Sequence, residues 1–168
     1  MSFNRLMREL LYYLIYNKIG YKLNMGGLKM IIYRDNYLPL KGEIYDLYSA
    51  NGWLAYTKNM MLTMQGIKNS LYIITAFHND RMVGLIRVVG DGATIIYIQD
   101  ILVDPKYQKN GIGKTLMNMV LKKYKHVRQK VLLTDAGKDT EYVRNFYNSL
   151  GFETCNKGIT VAMARFDF

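Results

Sequence analysis

The chain has 168 residues, half of them hydrophobic and 21% charged, which is enough length and apolar content for a folded domain with a real core. A formal net charge of +10 favours anionic partners such as nucleotides and cofactor phosphates. The lone cysteine, Cys155, excludes an internal disulfide and fits a reducing cytoplasm.

Residues 1–27 read as a basic, amphipathic extension. The run Leu10–Tyr16 (LLYYLIY) is apolar, with Arg5 and Arg8 before it and Lys18 and Lys22 after it. It is far shorter than the ~20 residues that span a bilayer, and no small-residue cleavage site follows. A short helix fits, one that packs on the domain, mediates homodimer association or touches a membrane surface through residues 1–24. Met25-Gly26-Gly27 breaks the pattern, and a single domain is expected over 28–168.

Leu28–Arg34 reads as a first strand. Helical spacing follows over 40–68, with Ile44, Leu47 and Tyr48 on one face, then Met60, Met61, Met64 and Ile67 on another. Methionines at that spacing read as core. Strands at 71–77, 81–89 and 93–103 are joined by the tight turns His78-Asn79-Asp80 and Gly90-Asp91-Gly92, which makes an antiparallel meander. A helix over 112–126, a strand at 130–134, a helix over 140–150 and strands near 152–155 and 159–166 complete the order β-α-α-β-β-β-α-β-α-β-β. That order specifies an α/β (α+β) fold with a mixed, mostly antiparallel sheet and helices on both faces.

The cluster Lys122, Lys123, Lys125, Arg128 and Lys130 reads as a solvated face, and no zinc-finger or RNA-binding signature accompanies it, so no nucleic-acid partner is expected. His78 and His126 lack metal-ligand spacing and read as surface residues, and no metal is expected. Cys155 has no local His partner and reads as a structural thiol.

The segment Ile95–Val120 carries the chemistry. Pro105 lacks an N–H and ends the strand at Asp104. Gly111 and Gly113 open the backbone to close approach, and the next helix presents free N–H groups at its start. Amides from Gln108 to Lys114, with the Lys109 and Lys114 charges, can hold an anion. Gly111-Ile112-Gly113-Lys114-Thr115 resembles the end of a P-loop, with VLLTD at 131–135 behind it. However, Gln108 stands where that motif needs glycine, too little chain follows for a parallel sheet, and a meander precedes the loop.

Val103-Asp104-Pro105-Lys106-Tyr107-Gln108-Lys109-Asn110-Gly111-Ile112-Gly113 resembles instead the Gln/Arg-x-x-Gly-x-Gly/Ala signature of the GCN5-related N-acetyltransferases, the GNAT family. Phe146-Tyr147-Asn148-Ser149-Leu150-Gly151-Phe152 resembles that family's FYxxxGF segment. Lys109 departs from the pattern, which often has glycine there. The resemblance covers roughly 28–168 and leaves residues 1–27 outside.

The resemblance implies acetyl transfer from acetyl-CoA, as co-substrate, to an amine. It places the pyrophosphate on the amides of Gln108, Lys109, Asn110, Gly111, Ile112, Gly113, Lys114 and Thr115. The pantetheine arm lies along Ile101, Leu102 and Val103, where the family's strand splays from its neighbour. Asp100, just after Gln99, is placed as the base that relieves the amine of its proton, with a water chain as the alternative. Tyr147 is placed as the acid that protonates the leaving thiolate, a phenol near ~10 serving a thiol near ~8.5. The family often has asparagine, a side-chain contact to CoA, where Thr140 stands, which places Thr140 among the cofactor-binding residues; Thr140 or Asp139 can also cap the helix there. The basic charge favours an amino acid, metabolite or protein α-amine over a polycationic aminoglycoside or polyamine. A non-catalytic acyl-CoA sensor of the same fold is the alternative function.

Overall fold

A computed structural model describes residues 30–135, 140–157 and 162–165. They fall into two compact units, one ending at Leu132 and the other beginning at Leu133. Residues 1–29 lie outside the described residues, as does the extension expected there.

The first unit is built on a five-stranded sheet in the order β1-β2-β3-β4-β5. The strands are β1 (Ile31–Asp35), β2 (Tyr72–His78), β3 (Arg81–Gly90), β4 (Ile95–Val103) and β5 (Gln129–Leu132). The first four pair antiparallel and β5 joins β4 in parallel. This is the meander expected from the tight turns. β2 and β3 are buried nearly end to end, so they read as continuous apolar runs and not as an alternating pattern.

Three helices lie between β1 and β2: α1 (Lys41–Ala50), α2 (Leu54–Thr57) and α3 (Met60–Lys68). Glu43 starts α1 by accepting from the Leu40 N–H at 2.7 Å, and Asn59 starts α3 by accepting from the Leu62 N–H at 3.1 Å. Ile44, Leu47, Tyr48, Met60 and Ile67 pack with Ile73, Phe77, Met82, Leu85 and Leu102 in one buried cluster on this side of the sheet. Met60 and Met64 contribute to it, but Met61 is 83% exposed. The helix begins at Met60, so positions 60, 64 and 67 share a face and 61 falls a hundred degrees off it.

α4 (Ile112–Lys123) contacts β2, β3 and β4. It buries Ile112, Leu116, Met117 and Val120, with Tyr124 just past its end. Met117 is fully buried, whereas Met119 is only half-buried. Tyr124 meets Tyr72 of β2 edge to face at 5.8 Å.

The register of β4 contains a β-bulge. Arg87 faces Asp100 and Val88 faces Ile98, so Gln99 is an extra residue without a partner on β3. The bulge resets the side-chain alternation. Ile98 shares the face of Val88, while Asp100 and Leu102 share the face of Arg87 and Leu85, toward α1 and α3. Hence Ile96, Ile98, Asp100 and Leu102 are all buried, although they sit in two layers.

In the second unit, α5 (Glu141–Asn148) is followed by a turn at Gly151 and a 3-10 turn at Cys155–Lys157. The strand expected at 152–155 is therefore absent; the polar run Cys155-Asn156-Lys157 closes a turn in place of extending. Residues 162–165 carry no strand, and the remainder of the expected strand 159–166 lies outside the described residues. Among the described residues, no helix is long and apolar enough to cross a membrane.

Candidate active site

β5 pairs with β4 only from Ile95 to Ile98. β4 runs on to Val103, so within this unit its outer edge carries no strand partner from Gln99 onward. The Asp104 N–H donates to Val83 O at 2.9 Å on the β3 side. Alternation then turns the Leu102 groups toward β3 and those of Ile101 and Val103 toward the open edge. Of the three residues expected to meet an extended amide chain, two present their backbone to it. The Val103 carbonyl accepts from Gln108 Nε2 at 3.2 Å.

The strand ends in a built corner. The Asp104 side chain, 3% exposed, accepts from the Lys106 N–H at 2.9 Å and from Arg81 Nη2 at 2.6 Å. Tyr107 bonds His78 Nδ1 at 3.0 Å, so His78 is half-buried and not the plain surface residue expected. His126 is exposed and reaches the Gly92 carbonyl at 3.1 Å.

Lys109 has φ +61° and Gly111 has φ +78°, both left-handed, and between them Asn110 Nδ2 bridges the carbonyls of Tyr107 and Gln108. This is why glycine is favoured at the Lys109 position: a side chain there pays a conformational cost. The first α4 hydrogen bond runs from Thr115 N–H to Gly111 O at 2.9 Å. The N–H groups of Ile112, Gly113 and Lys114 therefore have no intrahelical acceptor. No acidic residue lies in that first turn, and Lys109 and Lys114 are exposed beside it. The corner fits the diphosphate of a CoA molecule through amides, dipole and two cations. Burial pushes the Tyr33 phenol up from its ordinary value, with the Thr115 side chain acting in the opposite sense.

Asp100 is 1% exposed. Its Oδ2 accepts from Tyr48 Oη at 2.7 Å and from Arg87 Nε, while its Oδ1 is buried without a hydrogen-bond partner. Arg87 also donates through Nη1 to Gly66 O at 3.3 Å. Burial, then the Asp100 charge, pushes the Tyr48 phenol far above its ordinary value, so it remains a donor at any working pH.

Tyr48 and Arg87 floor a cavity of about 290 Å³ lined also by Ala55, Tyr56, Asn59, Leu62, Thr63, Gly66 and Ile67. Asp100 is not among its walls; it stands behind Tyr48 and Arg87. Tyr56 Oη accepts from Gln99 Nε2 at 3.4 Å, so the cavity wall is tied to the bulge itself. Sequence reasoning placed Asp100 but missed Arg87, since nothing local marks an arginine on β3 as its partner.

Tyr147 and Thr140 belong to the second unit. Tyr147 is 9% exposed on α5 and meets Phe146 and Phe152 edge to face at 5.2 and 6.2 Å. Its carbonyl accepts from the Phe152 N–H at 3.1 Å, which ties the two ends of the FYxxxGF segment. Thr140 occupies the N-cap position but makes no cap bond. Its hydroxyl donates to Asp135 O at 3.0 Å and accepts from Arg144 at 3.1 Å. Asp139 lies outside the described residues. Cys155 is an exposed free thiol.

The profile of the Acetyltransferase (GNAT) family matches residues 41–152. Histone acetyltransferase TAP1 of Glycine max is 27% identical over 133 residues, spanning 70% of this chain and 54% of that protein. Probable acetyltransferase TAP2 of the same plant is 30% identical over 135 residues, 70% of this chain and 50% of that one. The chain thus matches about half the length of these curated relatives. A GNAT-family acetyltransferase from Streptococcus pneumoniae superposes with a TM-score of 0.71 at 35% identity, covering 82% of this chain and 98% of that one. With its two motifs, its open β4 edge and these relatives, the chain belongs to the GNAT family of acetyltransferases.

Proposed function

We propose that this protein transfers an acetyl group from acetyl-CoA to a primary amine. The observation that supports it most is the joining of an unpaired β4 edge, at Ile101 and Val103, to a helix start with unused amides and no acidic residue. Acetyl-CoA supplies an activated thioester. The chain's own part is to hold and to polarise. The amides of Gln108 to Thr115, with Lys109 and Lys114, hold the diphosphate. The Ile101 and Val103 backbone pairs with the extended arm, and an amide beside the Gln99 bulge is aimed at the developing oxyanion. Tyr147 is assigned, by resemblance, the proton that the leaving sulfur needs.

The amine must be neutral to attack. A base must reach the proton it takes, and Asp100 lies behind the cavity wall. The proposal therefore gives Asp100 a positioning role, fixing Arg87 and Tyr48, and gives proton removal to water entering past the exposed Ala55, Asn59 and Leu62.

The test is twofold. Acetyl-CoA at millimolar concentration should raise the melting temperature, and thiol should appear when an amine panel is added. Absence of stabilisation sinks the reading. Stabilisation without thiol release from any amine, and with no effect of Tyr147→Phe, would establish the acyl-CoA sensor instead.

A further inference from the structure

The cavity beside the bulge says something about the acceptor, granted the acetyl-transfer reading above. Among the described residues, its walls contain no aspartate, no glutamate and no charged group but one. The one charged wall residue is a cation, Arg87, whose side chain is 11% exposed. The carboxylate behind Arg87 and Tyr48, that of Asp100, is 1% exposed and already carries both of them on Oδ2. None of the described wall residues can therefore offer a free anion to a second ammonium group.

What the walls do offer is apolar and aromatic. Ala55, Leu62 and Ile67 are aliphatic. Tyr48 and Tyr56 stand edge to face at 5.4 Å, and Trp53 stacks on Tyr56 at 5.5 Å and meets Tyr48 edge to face at 5.8 Å. Rings braced against one another this way form a rigid wall. Of the polar wall atoms, Thr63 Oγ1 is spent on Tyr56 O at 2.7 Å and Asn59 Oδ1 on the Leu62 N–H. About 290 Å³ sits at the small end of ligand cavities, about 300–1,000 Å³.

We infer that the acceptor is a primary monoamine on a compact apolar or aromatic body, and that polyamines and aminoglycosides are rejected. The reactive amine carries the substrate's one positive charge and sheds it before attack. A second ammonium would enter an apolar space floored by a guanidinium, losing its hydration with no carboxylate to replace it.

The experiment compares kcat/KM for phenethylamine and isoamylamine with that for spermidine and kanamycin, at fixed acetyl-CoA, by thiol release. The monoamines should be favoured at least tenfold. Two variants keep the result tied to this cavity. Leu62→Asp places a carboxylate on an exposed part of the wall, since Leu62 is 63% exposed, and should narrow the preference by raising spermidine turnover. Ala55→Phe reduces the volume and should raise KM for phenethylamine with KM for acetyl-CoA unchanged. Equal or better turnover of spermidine or kanamycin by the unaltered protein overturns the inference and leaves acetyl transfer standing. So does indifference of amine KM to both substitutions. Thermal stabilisation by acetyl-CoA, measured alongside, reports the underlying reading separately; its absence, with no thiol from any amine, removes both.

Discussion

Removing the Asp100 carboxylate should cost more than any surface change in this protein. In Asp100→Ala, Arg87 keeps its charge in a site where its side chain is 11% exposed, and the Tyr48 hydroxyl loses its acceptor. Breaking a buried pair by deleting one partner costs about 3–5 kcal/mol. An orphaned buried hydroxyl alone costs about 1–3 kcal/mol, and the two losses overlap because one oxygen serves both donors. Against a total stability of about 5–15 kcal/mol, that is a large share. It corresponds to a melting-temperature drop on the order of 10 °C for a chain of this size. Asp100→Asn keeps an acceptor for Tyr48 and should lose less. The double variant Asp100→Leu with Arg87→Met removes both charges and should recover most of the loss, short of about 1–3 kcal/mol for the stranded Tyr48 hydroxyl. Adding Tyr48→Phe should return that remainder. Urea unfolding and thermal melts measure all of these. Singles costing under about 1 kcal/mol, or a double equal to the sum of its singles, would refute the buried-pair account. The enzymatic arm separates positioning from base catalysis. If Asp100 positions, Asp100→Asn raises KM for the amine and retains the acid limb of the kcat/KM profile. Loss of that limb, with a 10²–10⁴-fold fall, would instead make Asp100 the base.

Lys109→Gly should raise stability by about 1 kcal/mol, because φ +61° costs a side-chain-bearing residue about that much; an unchanged or lower unfolding midpoint would contradict it. Gly90→Ala should destabilise by about 3 kcal/mol or more. A Cβ there would lie 2.5 Å from Ile95 O, on a residue with φ +132°, and a mild effect in a urea melt would show that the turn can relax. Asp91 accepts from the N–H groups of Ala93, Thr94 and Ile95 and from the Thr94 hydroxyl, and these bonds hold its carboxyl well below the usual range. Its folded pKa is depressed, so its contribution is present above about pH 4 and fades as pH falls through the folded value. The melting-temperature gap between the natural protein and Asp91→Ala should accordingly close in acid. Tyr48 titrates in the opposite sense. Its raised phenol stabilises the fold below about pH 10 and withdraws that support above it, and Tyr48→Phe should flatten the alkaline limb of the stability profile.

The sheet and its helices were legible from sequence because each depends on local signals. Tight turns at Asn79 and Gly92 separate the strands, and Ile44, Leu47 and Tyr48 recur at helical spacing. The signature loop was legible for the same reason, since its glycines and Gln108 are contiguous. The pairing of Arg87 with Asp100 was not, because it depends on cross-strand register, which residue types do not state. The strand expected at 152–155 failed on the opposite ground: a short run of mixed polarity after Gly-Phe extends only where a neighbour pairs with it, and the turn at Cys155–Lys157 takes its place. Thr140 sits at its helix start as expected, yet its hydroxyl is spent on Asp135 and Arg144, a competition invisible to spacing.

The residue with the widest consequences is the one without a partner on β3. Had β4 run in regular register, Ile98 and Asp100 would share a face, and a carboxylate would lie among the residues beneath α4. The extra residue at Gln99 turns Asp100 to the other side, where Arg87 lies opposite and Tyr48 descends from α1. A bulge also increases local twist and disrupts pairing at one edge. The last β4–β5 pair is Ile98 with Leu132, immediately before the bulge, and the open edge begins immediately after it. The bulge thus coincides with both the start of the open β4 edge and the floor of the cavity beside Tyr48 and Arg87. On this account, deleting Gln99 would do more than remove a side chain. It would make Asp100 follow Ile98 directly, so that Asp100 still faces Arg87 in an unbroken ladder while the added twist and the break in pairing disappear. Such a deletion should therefore leave the Arg87–Asp100 pair in place and cost less stability than Asp100→Ala, as should Gln99→Ala, which keeps the extra residue and loses only the 3.4 Å bond to Tyr56. A deletion as costly as Asp100→Ala would mean that the bulge itself, and not the cross-strand pair alone, holds this centre together.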